Sequence, residues 1–220
     1  MSNEVISARS DVSPAWLGYP TPEAPYTQID TIRFPIRDIA SGIDLLLERY
    51  PLATLDLVCH SFQGTVAAYW AVRQARSEKI QSNVPKVLHR VRSITTINSP
   101  LSGADKYLRI FNIIIKPQLE NIESLVPSGL NDLQGNSRIM KALQQHANQP
   151  SPVDYLITIG TQGDRLVTSD DSRLPYATKC PLIEGVLPDP PDDKLSIHTA
   201  VLWHNDLIEN IVESLLTLPS

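Results

Sequence analysis

Apolar positions along this chain fall into two rhythms. A short apolar run at Ala53 to Cys59 reads as a strand buried in a parallel sheet, another at Val153 to Gly160 as a further strand, and Val91 to Asn98 as the strand between them. Val91 to Asn98 is rich in β-branched residues (Val91, Ile94, Thr95, Thr96 and Ile97), which suit a pleated surface. Helical spacing appears between Asp38 and Tyr50, where Ile39, Ile43, Leu46 and Leu47 share a face and Pro51 ends the pattern. The Ala-rich stretch from Phe62 to about Ser77, with Val66, Trp70 and Val72, predicts a helix directly after the first strand. Leu207, Ile208, Ile211, Val212, Leu215 and Leu216 form the apolar stripe of a last helix, opened by a capping box of Asp206 and Glu209.

The remaining segments fit around these. Residues 1–25 are polar and broken by Pro14, Pro20, Pro22 and Pro25, the pattern of a surface arm. Tyr26 to Phe34 alternates loosely, as an edge strand would, and Pro35 breaks it. Lys79 to Arg90 reads as a solvated basic linker. Residues 104–150 form a long insertion, with an apolar run from Leu108 to Ile115, a helical face at Leu119, Ile122 and Leu125, and a short helix from Arg138 to Ala147. Leu174 to Pro191 is Pro-rich, with a short strand at Leu182 to Val186. Strands alternating with helices imply an α/β domain: a mostly parallel sheet of about four to six strands with helices on both faces.

Composition narrows the function classes. A chain of 220 residues, 42% hydrophobic and 20% charged, is long enough for one domain with a sizeable core. Its net charge of -5 argues against a nucleic-acid partner, which calls for a basic face. No run is long and apolar enough for a membrane span, and the first residues lack the apolar core of a signal peptide, so the cytoplasm is the expected compartment. Cys59 and Cys180 make no disulfide framework, and Cys59 reads as a buried, inert thiol.

Chemistry concentrates where the first strand meets its helix. His60 and Ser61 occupy that turn, and a sharp strand-to-helix turn exposes a hydroxyl at the sheet's carboxyl end, beside the unpaired N–H groups of the helix start. The stretch Cys59-His60-Ser61-Phe62-Gln63 resembles the nucleophile elbow of the α/β-hydrolase family, in its lipase and esterase branch. The run Thr96-Ile97-Asn98-Ser99-Pro100-Leu101-Ser102-Gly103 resembles the strand and turn that follow the nucleophile helix in lipases. The likeness covers about residues 38–216, within a single domain of residues 1–220.

The resemblance implies a serine hydrolase of carboxylic esters with an acyl or lipid-like substrate. Ser61 would be the nucleophile, His198 the base, Asp164 its carboxylate partner and the Phe62 N–H an oxyanion donor. These stand in the family's order, Ser…Asp…His. Asp170 and Asp171 are rivals for Asp164, and His204 for His198. Residues 104–150 would form a cap over the site. No phosphate-cradling loop or zinc spacing is present, so neither a metal nor a nucleotide cofactor is expected.

Two features depart from the family pattern. The elbow glycines are replaced by Cys59 and Gln63, with Gly64 one residue late, and no His-Gly pair precedes Ser61 to supply a second oxyanion donor. Either the chain begins late relative to the family or another segment takes that role. These departures admit a second reading, a catalytically weak or inactive relative that keeps the fold as a binding module.

Overall fold

The computed structural model describes residues 33–80, 87–104, 133–188 and 197–217. In chain order the elements are helix α1 (Arg33–Arg49), strand β1 (Leu55–His60), helix α2 (Phe62–Ile80), strand β2 (Val91–Ile97) and helix α3 (Arg138–Gln145). Strand β3 (Tyr155–Thr161), strand β4 (Leu182–Ile183), the short helix α4 (Ile197–Ala200) and helix α5 (Asn205–Leu216) follow. The four strands are all parallel, in the order β1-β2-β3-β4.

Alternation along the strands divides the core in two. Leu57 and Cys59 of β1, Ile94 of β2 and Leu156 of β3 meet α1, α2 and α3 on one face. Ile97 of β2 and Ile157 and Ile159 of β3 meet Ile197, Val201 and Leu207 on the other. Helices therefore cover both faces, as the apolar runs imply. Residues Gly64 to Val72 of α2 are all buried, which explains why that helix shows no polar stripe over this stretch.

Several local expectations change. Helix α1 begins at Arg33, so Pro35 lies in its first turn, where a missing N–H costs nothing, and does not end a strand there. The rest of the expected edge strand, and the N-terminal arm, lie outside the described residues. Strand β1 is not buried on both faces: it pairs with β2 alone among the described residues, and Val58 is 49% exposed. Helix α5 starts at Asn205 with His204 as its N-cap, without a side-chain cap bond, so Asp206 sits inside the first turn and the expected capping box does not form. Leu207 is buried but Ile208 is 52% exposed, which narrows the expected stripe. Of the expected cap, residues 105–132 lie outside the described residues. Its last helix, α3, packs Ile139, Met140 and Leu143 into the core beside α2.

The passage of α2 over β2 is tight at one point. A Cβ at Gly64 would stand 2.0 Å from Ser99 Oγ, 2.8 Å from Ser99 Cβ and 2.9 Å from Thr96 Cβ. Gly64→Ala is therefore expected to destabilise the fold by about 1–3 kcal/mol, the usual range for overpacking. Urea unfolding followed by circular dichroism measures it, and an unchanged midpoint would contradict the close contact.

Candidate active site

Ser61 is the single residue between β1 and α2. Its φ is +56°, in the left-handed region that costs a non-glycine residue about 1–3 kcal/mol. Two backbone bonds hold it there: Ser61 N–H donates to Ile97 O at 2.8 Å, and Gly64 N–H donates to Ser61 O at 3.1 Å. The hydroxyl is thereby lifted clear of its strand at the carboxyl end of the sheet.

Asp164 follows β3 after a turn in which Gly163 has φ +85°. Its side chain has no exposed surface. Oδ1 accepts N–H bonds from Leu166 at 2.8 Å and Val167 at 3.1 Å, leaving Oδ2 free to face His198. His198 lies on the short helix α4. Its Nδ1–H donates to Asp164 Oδ2 at 2.7 Å, which leaves Nε2 as the acceptor of the Ser61 hydroxyl, also at 2.7 Å. The structure thus brings Ser61, His198 and Asp164 into one hydrogen-bonded line. Phe62 is the first residue of α2, so the helix leaves its N–H unused.

The rival residues are elsewhere. Asp171 accepts from Thr168 Oγ1 at 2.6 Å and its carbonyl from Leu101 N–H at 2.8 Å, tying two loops together. Asp170 is exposed. His204 caps α5, 3.9 Å from Asp206. No group of three potential metal-ligating side chains occurs among the described residues.

Two neighbours had no assigned part in the hydrogen-bonded line. His60 Nε2–H donates to the His198 backbone carbonyl at 2.8 Å, with the two rings 4.9 Å apart. Asn98, at φ +45° just past β2, points its amide at the same carbonyl from 3.4 Å. The ends of two adjacent strands therefore hold the backbone of one histidine. The signal available in sequence was position alone: His60 precedes the serine, and Asn98 lies in the turn after β2. The elbow also resolves differently from its pattern. Cys59 packs into the core as a partly buried neighbour, and the colliding position is Gly64, while Gln63 is half-buried.

No known family model matches the chain. No curated protein matches it either. Solved structures do. The Bacillus licheniformis lipase BlEst2 in mature form superposes with a TM-score of 0.59 at 17% identity, covering 86% of this chain and 76% of that one. The same lipase in propeptide form gives 0.55 at 18% identity, covering 87% and 42%. The lin2722 product from Listeria innocua gives 0.51 at 15% identity, covering 86% and 68%. The chain has an α/β-hydrolase-like fold. Within that α/β-hydrolase fold, Ser61 occupies the strand-to-helix turn, and no described helix is long and apolar enough to cross a membrane.

Burial sets the protonation of the neighbours. The Cys59 thiol is pushed up to about 12 by desolvation, while Cys180 is exposed. Iodoacetamide at pH 8 is therefore expected to alkylate Cys180 in the native protein and leave Cys59 intact, as read by peptide mass mapping. Desolvation also holds His60 below the usual histidine range, outweighing its bond to the His198 carbonyl. A histidine neutral in the fold but free to protonate when unfolded contributes stability above its unfolded pKa of about 6.5, lost as pH falls through its folded value. His60→Asn should therefore cost more stability at pH 7.5 than at pH 5. Urea titrations at the two pH values check this, and an equal cost at both would count against it.

Proposed function

We propose that this protein is a serine hydrolase of carboxylic esters, acting through an acyl-enzyme. The observation that carries this reading is the line from Ser61 Oγ through His198 to Asp164, with both hydrogen bonds at 2.7 Å. His198 Nε2 would take the Ser61 proton as the oxygen attacks the acyl carbonyl, then return it to the leaving alcohol. Water, activated by the same nitrogen, would release the acid. Asp164 keeps the imidazole in the tautomer that can accept, and its charge favours the imidazolium that forms.

Charge developing on the carbonyl oxygen would meet the Phe62 N–H and the positive end of α2. His60 and Asn98 act as positioning residues, because they fix the histidine backbone and touch none of the reacting atoms. The altered elbow does not favour the binding-module reading: the position at which a side chain would collide is Gly64, which remains glycine. The fold shared with the Bacillus lipase supports an acyl substrate, and a soluble short-chain ester is the first to try.

A fluorophosphonate probe is expected to label the wild-type protein and not Ser61→Ala. p-Nitrophenyl butyrate should be hydrolysed, and Asp164→Asn should lower kcat by about 10⁴-fold. Labelling that survives Ser61→Ala, or none at all, would remove the hydrolase reading. Faster turnover of a matched anilide or thioester would keep the mechanism and replace the ester class.

A further inference from the structure

A concave feature lies on the helical face, away from Ser61. It is a groove of about 490 Å³ between α2 and α3, lined by Tyr69, Arg73, Arg76, Arg138, Lys141 and Gln145 among others. Arg73 and Arg76 are three residues apart on one helix, and Arg138 and Lys141 three apart on the other. Two like-charged pairs of this spacing therefore share one groove. Such pairs destabilise a helix unless something neutralises them.

Nothing among the described residues does. No described carboxylate lines the groove, and none of its four cations is ion-paired among the described residues. Glu78, the one acidic residue of α2, is committed elsewhere: its carboxylate accepts from Leu88 N–H at 3.2 Å and from Gln74 at 3.4 Å. Helix α3 carries no acidic residue. The Tyr69 ring lies under the Arg73 guanidinium, 5.9 Å from it, and steadies that charge at the groove wall. Nearby His146 is held below the usual histidine range by burial, against its bond to the Pro150 carbonyl, with smaller contributions from Arg76 and Lys79.

We propose that this groove between α2 and α3 is a binding site for a phosphate-bearing ligand with two or more negative charges. Three guanidinium forks and an ammonium suit tetrahedral phosphate oxygens, and four cations call for more charge than one carboxylate carries. Helix α2 separates this site from Ser61. At 1.5 Å per residue, Arg73 to Ser77 lie about 20 Å along it from Phe62. The proposal therefore stands apart from the hydroxyl's chemistry. The phosphate belongs either to a soluble molecule or to a lipid headgroup, and the two are separable.

Calorimetry with pyrophosphate at about 50 mM salt, where screening is modest, tests the site. Wild-type protein is expected to bind, and Arg76→Gln/Lys141→Gln to bind at least about tenfold more weakly. Arg173→Gln/Lys179→Gln removes two exposed cations elsewhere and should leave binding unchanged. All four side chains are exposed, and matching urea midpoints for the two variants confirm that both fold. Co-sedimentation with phosphatidylglycerol vesicles, competed by pyrophosphate, would assign a lipid headgroup. Pyrophosphate binding without co-sedimentation would assign a soluble ligand. Absence of both, equal weakening in the two variants, or citrate binding as tightly as pyrophosphate would overturn the proposal.

Discussion

One residue connects β1 to α2, and that economy depends on how closely α2 lies on β2. With hydrogen in place of a side chain at Gly64, the first turn of the helix descends onto Ser99 and Thr96. The chain can then reverse within Ser61, whose left-handed backbone is fixed by bonds to Ile97 and Gly64. The hydroxyl's direction follows from this contact. So does the location of the unpaired N–H groups beside it, since they belong to the same first turn.

All of the site's groups but His198 and its neighbours on α4 stand at strand ends. Asp164 follows β3, Asn98 follows β2 and Ser61 follows β1, so three adjacent parallel strands deliver their residues to one rim. His198 arrives from outside the sheet and is held through both its ring and its main-chain carbonyl. A carboxylate with two amide donors is rigid, and a histidine held at both ring nitrogens and at its main-chain carbonyl has little freedom to swing out of line. The proposed hydrolytic reading rests on this geometry at the rim of a parallel sheet.

The sheet and its helices were legible because buried strands and amphipathic or wholly apolar helices leave rhythms that local composition records. The spacing among Ser61, Asp164 and His198 was legible only through likeness to a family pattern. Where that pattern was counted position by position it misled: Gln63 stands where a glycine was expected, yet steric pressure falls on Gly64, which only packing against β2 reveals. The capping box failed for a related reason. Asp206 and Glu209 have the right spacing, but the helix starts at Asn205 and shifts both inside it. The link from His60 to the His198 carbonyl spans 138 residues and leaves no local trace.

Sequence separation has a temporal consequence. Ser61 and His198 touch across 137 residues, so the imidazole is synthesised well after the hydroxyl it meets. At translation speeds of about 5–20 residues per second, some ten seconds pass between the emergence of the two groups. Throughout that interval the nascent polypeptide lacks His198, so the hydroxyl gains this hydrogen bond only when α4 docks.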